Sequence, residues 1–297
     1  MPRVSVILPT YNRAHLLPRA ITSVLQQRMA DLELIVVDDG SNDATEALVA
    51  GMQDRRLRYV RHQQRRGAAA ARNTGISLSR GQFLAFQDSD DAWLPQKLTL
   101  QLARLAHAPA HTGVVYCRFW QISGTQAQLV PSRLHHAVAR LPFTARRLEG
   151  WLGPTLLHGN FITTQSALVK RECIERHGAF DSHMPRFQDW DLWLRLAPHY
   201  SFAYVSAPLL NAYVTSDSIS KDDLALQAGF ALLIAKYGHR QAGYGLAAQR
   251  HYVLGQLARA VGDKQVARQH FNAALKLHPC NPTYAWAFGQ TLLKHLA

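Results

Sequence analysis

The sequence predicts an α/β protein: a mostly parallel central sheet with helices on both faces, followed by an all-helical C-terminal appendage. Three observations carry this. The runs 4–8, 32–37 and 83–86 are short, rich in β-branched or aromatic residues, and apolar at successive positions, as strands covered on both faces are. Between them, 14–27, 43–51 and 68–79 have helical spacing, so the first third alternates strand and helix as a βαβ series does. After Ser220 the strand signals stop and amphipathic helices are expected over 222–238, 244–260, 264–277 and 283–296, the last three separated by Gly262-Asp263 and by Pro279-Cys280-Asn281-Pro282.

From 114 to 213 the pattern is less regular. Strands are expected at 114–117, 166–169 and 202–205, between loops punctuated by Gly and Pro. With 297 residues, 47% of them hydrophobic, the chain suffices for one core of roughly 200 to 250 residues plus a smaller addition. The expected division is 1–220 and 221–297.

The first residues lack the apolar run of a signal peptide, and no stretch approaches the roughly 20 apolar residues that cross a bilayer. A cytoplasmic chain is expected. Cys117, Cys173 and Cys280 lie far apart without metal-type spacing, which fits buried thiols in a reducing compartment. The net charge of +13 and a pI near 10.0 favour an anionic partner. The basic clusters at 55–58, 61–66 and Arg146-Arg147 lack the interleaved aromatics that stack on single strands, so they suit a solvated or membrane-facing surface better than nucleic acid.

In an open α/β sheet ligands bind beyond the carboxyl ends of the strands. Each such end is polar here. After the second strand comes Asp38-Asp39-Gly40-Ser41, where a carboxylate either accepts from a base imide or ribose hydroxyl or serves its own turn. After the third comes Asp88-Ser89-Asp90-Asp91, three carboxylates in four positions. Like charges that close repel, and a divalent cation is the usual reason to hold them together, although Asp91 could instead cap the helix near Pro95. Oxygen-only ligands suit Mg²⁺ or Mn²⁺, completed by water and substrate phosphates. A third acidic set, Gln188-Asp189-Trp190-Asp191, opens an amphipathic helix, where the acids either cap it or leave one carboxylate as a general base. The small-residue segment 67–75 explains itself by close helix packing, or by Arg72 meeting a phosphate or an acidic loop.

Taken in order, Val4 to Arg13, Val37 to Ser41, Gly67 to Gly75, Asp88 to Asp91 and Gln188-Asp189 resemble the family 2 glycosyltransferases of the GT-A fold, over about residues 3–220. The resemblance implies that Pro9, Tyr11 and Asp39 line the nucleotide-base pocket. It places Asp88 by the ribose and diphosphate, makes Asp90 the metal ligand and Asp189 the catalytic base. It further implies an inverting transfer from a UDP-, dTDP- or GDP-sugar to a glycan or lipid-linked acceptor, with peripheral contact at the inner face of the cytoplasmic membrane.

Two departures stand out. Gln188 replaces a frequent Glu, and Val214 replaces a frequent Arg after the tyrosine, so a substitute cation is expected from 215–221. They also motivate the alternative of a catalytically silent scaffold relative. Residues that read sugar hydroxyls are expected in 121–159, where His158 lies; His183 and His199 are nearby. The tail resembles a tetratricopeptide-like hairpin through Leu254-Gly255, Ala258, Gly262-Asp263, Ala267, Phe271, Ala274-Leu275 and Pro279; with about one and a half units it must pack on something else.

Overall fold

The computed structural model describes residues 1–130, 148–214, 223–238, 244–260 and 262–293. Positions 131–147 of the 121–159 segment, Arg146-Arg147 among them, the segment 215–221, and the end of the last helix from 294 lie outside the described residues.

The first half alternates as expected: β1 (Val4–Thr10), α1 (Leu17–Leu25), β2 (Leu32–Asp38), α2 (Thr45–Ala50), β3 (Leu57–Arg61), α3 (Ala68–Leu78) and β4 (Phe83–Phe86). Then follow β5 (Ala92–Trp93), α4 (Lys97–Ala106), β6 (Thr112–Ser123), β7 (Gln126–Val130), α5 (Gly153–His158), β8 (Ala167–Lys170), α6 (Arg171–His177), α7 (Gln188–Leu196) and β9 (Ser201–Tyr213). The sheet runs β3-β2-β1-β4-β8-β6-β9-β5, with β7 beside β6. The strands β3, β2, β1 and β4 are mutually parallel, whereas β8 is antiparallel to both its neighbours and β5 is antiparallel to β9.

Alternation along β1 divides the core in two. Val4, Val6 and Leu8 pack with Ala20, Ile21 and Val24 of α1 and Leu98 of α4. Ile7 points to the other face, toward α3, α5 and α7. A Cβ on Gly75 would sit 2.4 Å from Ile7 Cγ2, so the small residues of α3 let that helix lie directly on β1.

The strand β3 was not apparent in the sequence, where Arg55 to Arg58 read as a surface cluster. Edge placement explains this, since no position of the strand is fully buried and its arginines reach acids. Arg58 meets Glu33 at 3.3 Å, and Arg61 meets Glu46 at 2.7 Å. That cluster is therefore partly neutralised. Cys117 and Cys173 are buried as expected, but Cys280 is exposed in the turn between two helices, where nothing apolar covers it.

The tail comprises α8 (Asp223–Tyr237), α9 (Tyr244–Ala260), α10 (Lys264–Leu277) and α11 (Pro282–Leu293). Leu226, Phe230, Leu233 and Tyr237 of α8, with Leu246 of α9, belong to the main core. Farther out, Ala258, Ala267, Phe271 and Ala287 form a separate cluster, and a Cβ on Gly255 would lie 2.6 Å from Phe271. Asp263 caps α10 by accepting the Val266 N–H at 3.0 Å. No helix among the described residues is long and apolar enough to cross a membrane.

Candidate active site

The end of β2 holds the first acidic pair. Asp38 is fully buried; its Oδ1 accepts the Ser41 N–H at 2.8 Å and its Oδ2 the Tyr59 hydroxyl at 2.6 Å. The turn-serving role open to Asp39 thus falls to Asp38. Asp39 looks the other way, across to the start of α3. Its Oδ1 accepts the Arg66 N–H and its Oδ2 the Gly67 N–H, at 2.8 and 2.7 Å, and His62 Nδ1 donates to Oδ1 at 2.8 Å. Thr74 Oγ1 lies 2.9 Å from His62 Nε2 and can donate to it, which leaves the proton on Nδ1. Gly40 has φ of 83°, and a Cβ there would meet Arg65 N and Gln64 C at 3.1 Å, so the turn and the 64–67 loop touch only because residue 40 has no side chain.

The loop after β4 holds the second set, and its acids separate by environment. Asp91 is buried, accepting the Tyr213 N–H at 3.0 Å and Gln165 Nε2 at 2.9 Å. Burial, reinforced by the charges of Asp88 and Asp90, pushes its carboxyl well above the usual range. It fastens this loop to β9 rather than capping α4, whose N-cap position is Gln96. Asp88 and Asp90 instead face a cleft of about 460 Å³. Arg72 Nη2 donates to Asp88 Oδ1 at 2.8 Å, and Arg13 Nη1 lies 3.7 Å from Asp90 Oδ2. From α1, Arg19 donates to the Asp90 carbonyl at 2.5 Å while its guanidinium lies 3.6 Å from the Tyr213 ring centroid.

Pro9, Tyr11, Asp39, Arg72, Asp88 and Asp90 all line this one cleft, at the carboxyl ends of β1, β2 and β4. The Arg65 guanidinium covers the Tyr11 ring at 4.5 Å. Thr10 Oγ1 and Arg72 Nε are buried beside it with no partner among the described residues, as groups awaiting a polar ligand would be. Asp189 is not among the lining residues. Its neighbour Gln188 meets the cleft-lining Arg72, whose Nη1 lies 3.5 Å from Gln188 Oε1.

Asp189 opens α7 behind Phe187, which occupies the left-handed region at φ 65° and ψ 28°. Neither acid of this helix takes the cap position, contrary to that possibility. Asp191 is fully buried, bonded by Arg195 Nε, Lys236 Nζ and Tyr237 Oη at 2.9, 2.9 and 2.8 Å. Asp189 Oδ1 accepts the Trp190 N–H at 2.8 Å, and the Asn160 side chain favours the charged form of the same carboxyl. Burial still pushes the Asp189 carboxyl above its ordinary value.

Sequence reasoning missed His62, Arg19 and Asn160 as parts of this site. Arg13, by contrast, stands inside the first motif. Among the histidines expected nearby, His199 stacks on His177 at 4.0 Å and His158 meets His278 edge-on; neither lines the cleft. Burial lowers the His158 pKa to about 4.

The family model described as glycosyl transferase family 2 matches residues 5–171. Over 102 residues the chain is 42% identical to WfgD of Escherichia coli, a UDP-Glc:alpha-D-GlcNAc-diphosphoundecaprenol beta-1,3-glucosyltransferase, covering 34% of this chain and 40% of that protein. It is 30% identical over 204 residues to WcaA of Escherichia coli K12, assigned as a colanic acid biosynthesis glycosyl transferase, covering 67% of each. The matched segment thus spans from two fifths to two thirds of these relatives. Among solved structures, the mannosyltransferase PcManGT from Pyrobaculum calidifontis, in complex with GDP-Man and Mn²⁺, superposes with a TM-score of 0.63 at 21% identity over 98% of this chain and 80% of that one. The likeness identifies a GT-A fold, curled sheet first and helices last.

Proposed function

The chain belongs to glycosyl transferase family 2, and on that premise we propose that it is an inverting glycosyltransferase. It moves a sugar from a nucleoside-diphosphate sugar to an acceptor hydroxyl, in the synthesis of a surface polysaccharide, lipopolysaccharide or glycolipid. One observation carries the reading: a single cleft gathers Asp39, Arg72, Asp88 and Asp90, and Arg72 links it to the helix that bears Asp189.

In this reading Pro9, Tyr11 and Asp39 hold the base and Asp88 meets the ribose side. Arg72 and Arg13 supply positive charge for the diphosphate. Among the described residues no three metal-ligating side chains converge, and the acids lining the cleft are Asp39, already bonded to the 66–67 backbone, with Asp88 and Asp90 of the 88–90 loop. That donor set fits Mn²⁺ or Mg²⁺, which take few protein carboxylates and fill their other positions with water and phosphate oxygens. Asp90 would hold the ion, which when bound offsets negative charge on the departing diphosphate. Asp189 accepts the proton of the acceptor hydroxyl. The freed oxygen pair forms the new bond to the anomeric carbon from the face opposite the diphosphate, and the bond to the phosphate oxygen breaks with its electron pair leaving on the nucleotide. Inversion at that carbon follows. An elevated Asp189 pKa suits a base better than an ordinary carboxylate would.

The test is nucleoside-diphosphate release from UDP-, dTDP- and GDP-sugars with Mn²⁺ and an acceptor. Asp189→Asn is expected to keep nucleotide binding and lose transfer; wild-type turnover in that variant removes the assigned base. Silence of the wild-type protein with every donor, while nucleotide still binds, favours the scaffold alternative.

We read 1–220 as the catalytic domain and 221–297 as its helical extension, with α8 packed against α7. The relative whose name carries a diphosphoundecaprenol acceptor motivates a lipid-linked acceptor here, and with it peripheral contact at the cytoplasmic face of a membrane. The +13 charge and the exposed Trp286 and Leu292 of α11 support that contact. Flotation with anionic liposomes at low salt tests it, and failure to float rejects it.

A further inference from the structure

Polar residues recur every fourth position along α1 and just past its end: Arg19, Ser23 and Gln27, a spacing that puts them on one side of the helix. Each binds backbone that follows the second acidic motif. Arg19 Nη2 donates to the Asp90 carbonyl at 2.5 Å, and Ser23 Oγ accepts the Trp93 N–H at 3.1 Å. Gln27 donates to the Leu94 carbonyl at 2.8 Å and accepts the Leu98 N–H at 3.1 Å. Of these anchors, the first bears on a side chain in the cleft. The peptide joining Asp90 to Asp91 is held at both ends, since its N–H donates to the Asp88 carbonyl at 3.2 Å and its carbonyl accepts from Arg19. A planar peptide held at both ends fixes ψ of Asp90, and with it the direction in which the Asp90 carboxylate leaves the backbone. Arg19 is itself supported from β9. Its guanidinium lies 3.6 Å from the Tyr213 ring centroid, and the Tyr213 N–H donates to Asp91 Oδ1 at 3.0 Å, so one residue of β9 braces both the arginine and the turn it holds.

We propose that Arg19 is the positioning residue of Asp90, fixing the 90–91 peptide so that the Asp90 carboxylate faces the cleft; this rests on the reading of Asp90 as the ligand of a divalent ion. Arg19 is not among the described residues that line the cleft, so its effect passes through Asp90 and not through contact with the nucleotide. Two roles for a cation at this place have opposite signs. Charge alone repels a divalent ion, and removing it would tighten ion binding. Positioning keeps a ligand aimed, and removing an outer partner of a ligand weakens ion binding by about 10-fold or more.

Calorimetry of the full chain reads this without turnover, as the factor by which Mn²⁺ tightens the binding of UDP, dTDP or GDP, whichever the wild type holds best. Arg19→Met keeps an aliphatic stem and removes the guanidinium. It is expected to leave nucleotide affinity without Mn²⁺ unchanged and to cut the Mn²⁺ effect about 10-fold. Arg19→Lys, which keeps one donor for the Asp90 carbonyl but not the planar stack on Tyr213, is expected to fall between Arg19→Met and the wild type. Tyr213→Leu removes the brace and leaves the N–H on Asp91, so a smaller loss in the same direction is expected. Thermal melting identifies the folded variants, and Arg19→Lys with Tyr213→Leu carries the test should Arg19→Met not fold. An unchanged or larger Mn²⁺ effect in the folded Arg19 variants, with that effect abolished by Asp90→Ala, overturns the proposal and leaves Asp90 as the ion ligand. A Mn²⁺ effect that survives Asp90→Ala, or is absent from the wild type, removes the ion from Asp90 and overturns both.

Discussion

Lys236 on α8 bridges two carboxylates beneath the candidate base, and its replacement by methionine tests how firmly the tail grips the catalytic helix. Its Nζ lies 2.5 Å from Asp181 Oδ2 and 2.9 Å from Asp191 Oδ1. Methionine keeps the aliphatic stem and removes the charge. The Lys236 hydrogen bond is the main reason that the Asp181 carboxyl titrates at about 2 instead of 3.8. At 1.36 kcal/mol per pK unit this corresponds to about 2 kcal/mol at pH 7, and to roughly 1 to 2 once screening at a partly exposed side chain is allowed for.

Asp191 keeps Arg195 and Tyr237 as partners, so losing Lys236 there costs a further 1 to 2 kcal/mol or so, as for one charge-assisted hydrogen bond. The total is about 2 to 4 kcal/mol at pH 7. A carboxyl whose folded pKa is depressed contributes stability above its unfolded value and loses it as pH falls through the folded one. The Asp181 share therefore stands above pH 4 and fades toward pH 2. Urea denaturation of wild type and Lys236→Met at pH 7 and pH 3 measures this. The difference should shrink by about half of the Asp181 share at the lower pH. A difference below about 0.5 kcal/mol at pH 7, or one independent of pH, refutes the reasoning.

Two other substitutions probe the same frame. A Cβ on Gly229 of α8 would lie 2.9 Å from Phe187 Cδ2 and 3.2 Å from the Arg186 carbonyl oxygen, so Gly229→Ala should destabilise by about 1 to 3 kcal/mol. Because Phe187 sets the entry to α7, kcat should fall while donor KM holds, as initial-rate kinetics would report. Arg72→Lys removes the fork that spans Asp88 and Gln188, so affinity for UDP or GDP should fall about 10-fold or more by calorimetry. Unchanged affinity would remove Arg72 from the diphosphate side.

The central strands were legible because parallel strands covered on both faces are apolar at every position, a local property that survives in the residue order. So were the cleft residues Pro9, Tyr11, Asp39, Asp88 and Asp90, since loops after such strands converge at one edge whatever the packing details. The strand β3 escaped because an edge strand with paired arginines reads as a charged surface. Alone, the residue order could not apportion the acids. Whether Asp38 or Asp39 serves the turn, and that Asp91 is buried against β9 while Asp90 faces the cleft, depend on which backbone N–H groups arrive from distant segments. Asn160 beside Asp189, and α8 beneath Phe187, have no local signal at all. A carboxylate's role follows from its desolvation and its partners, and only the packed chain supplies both.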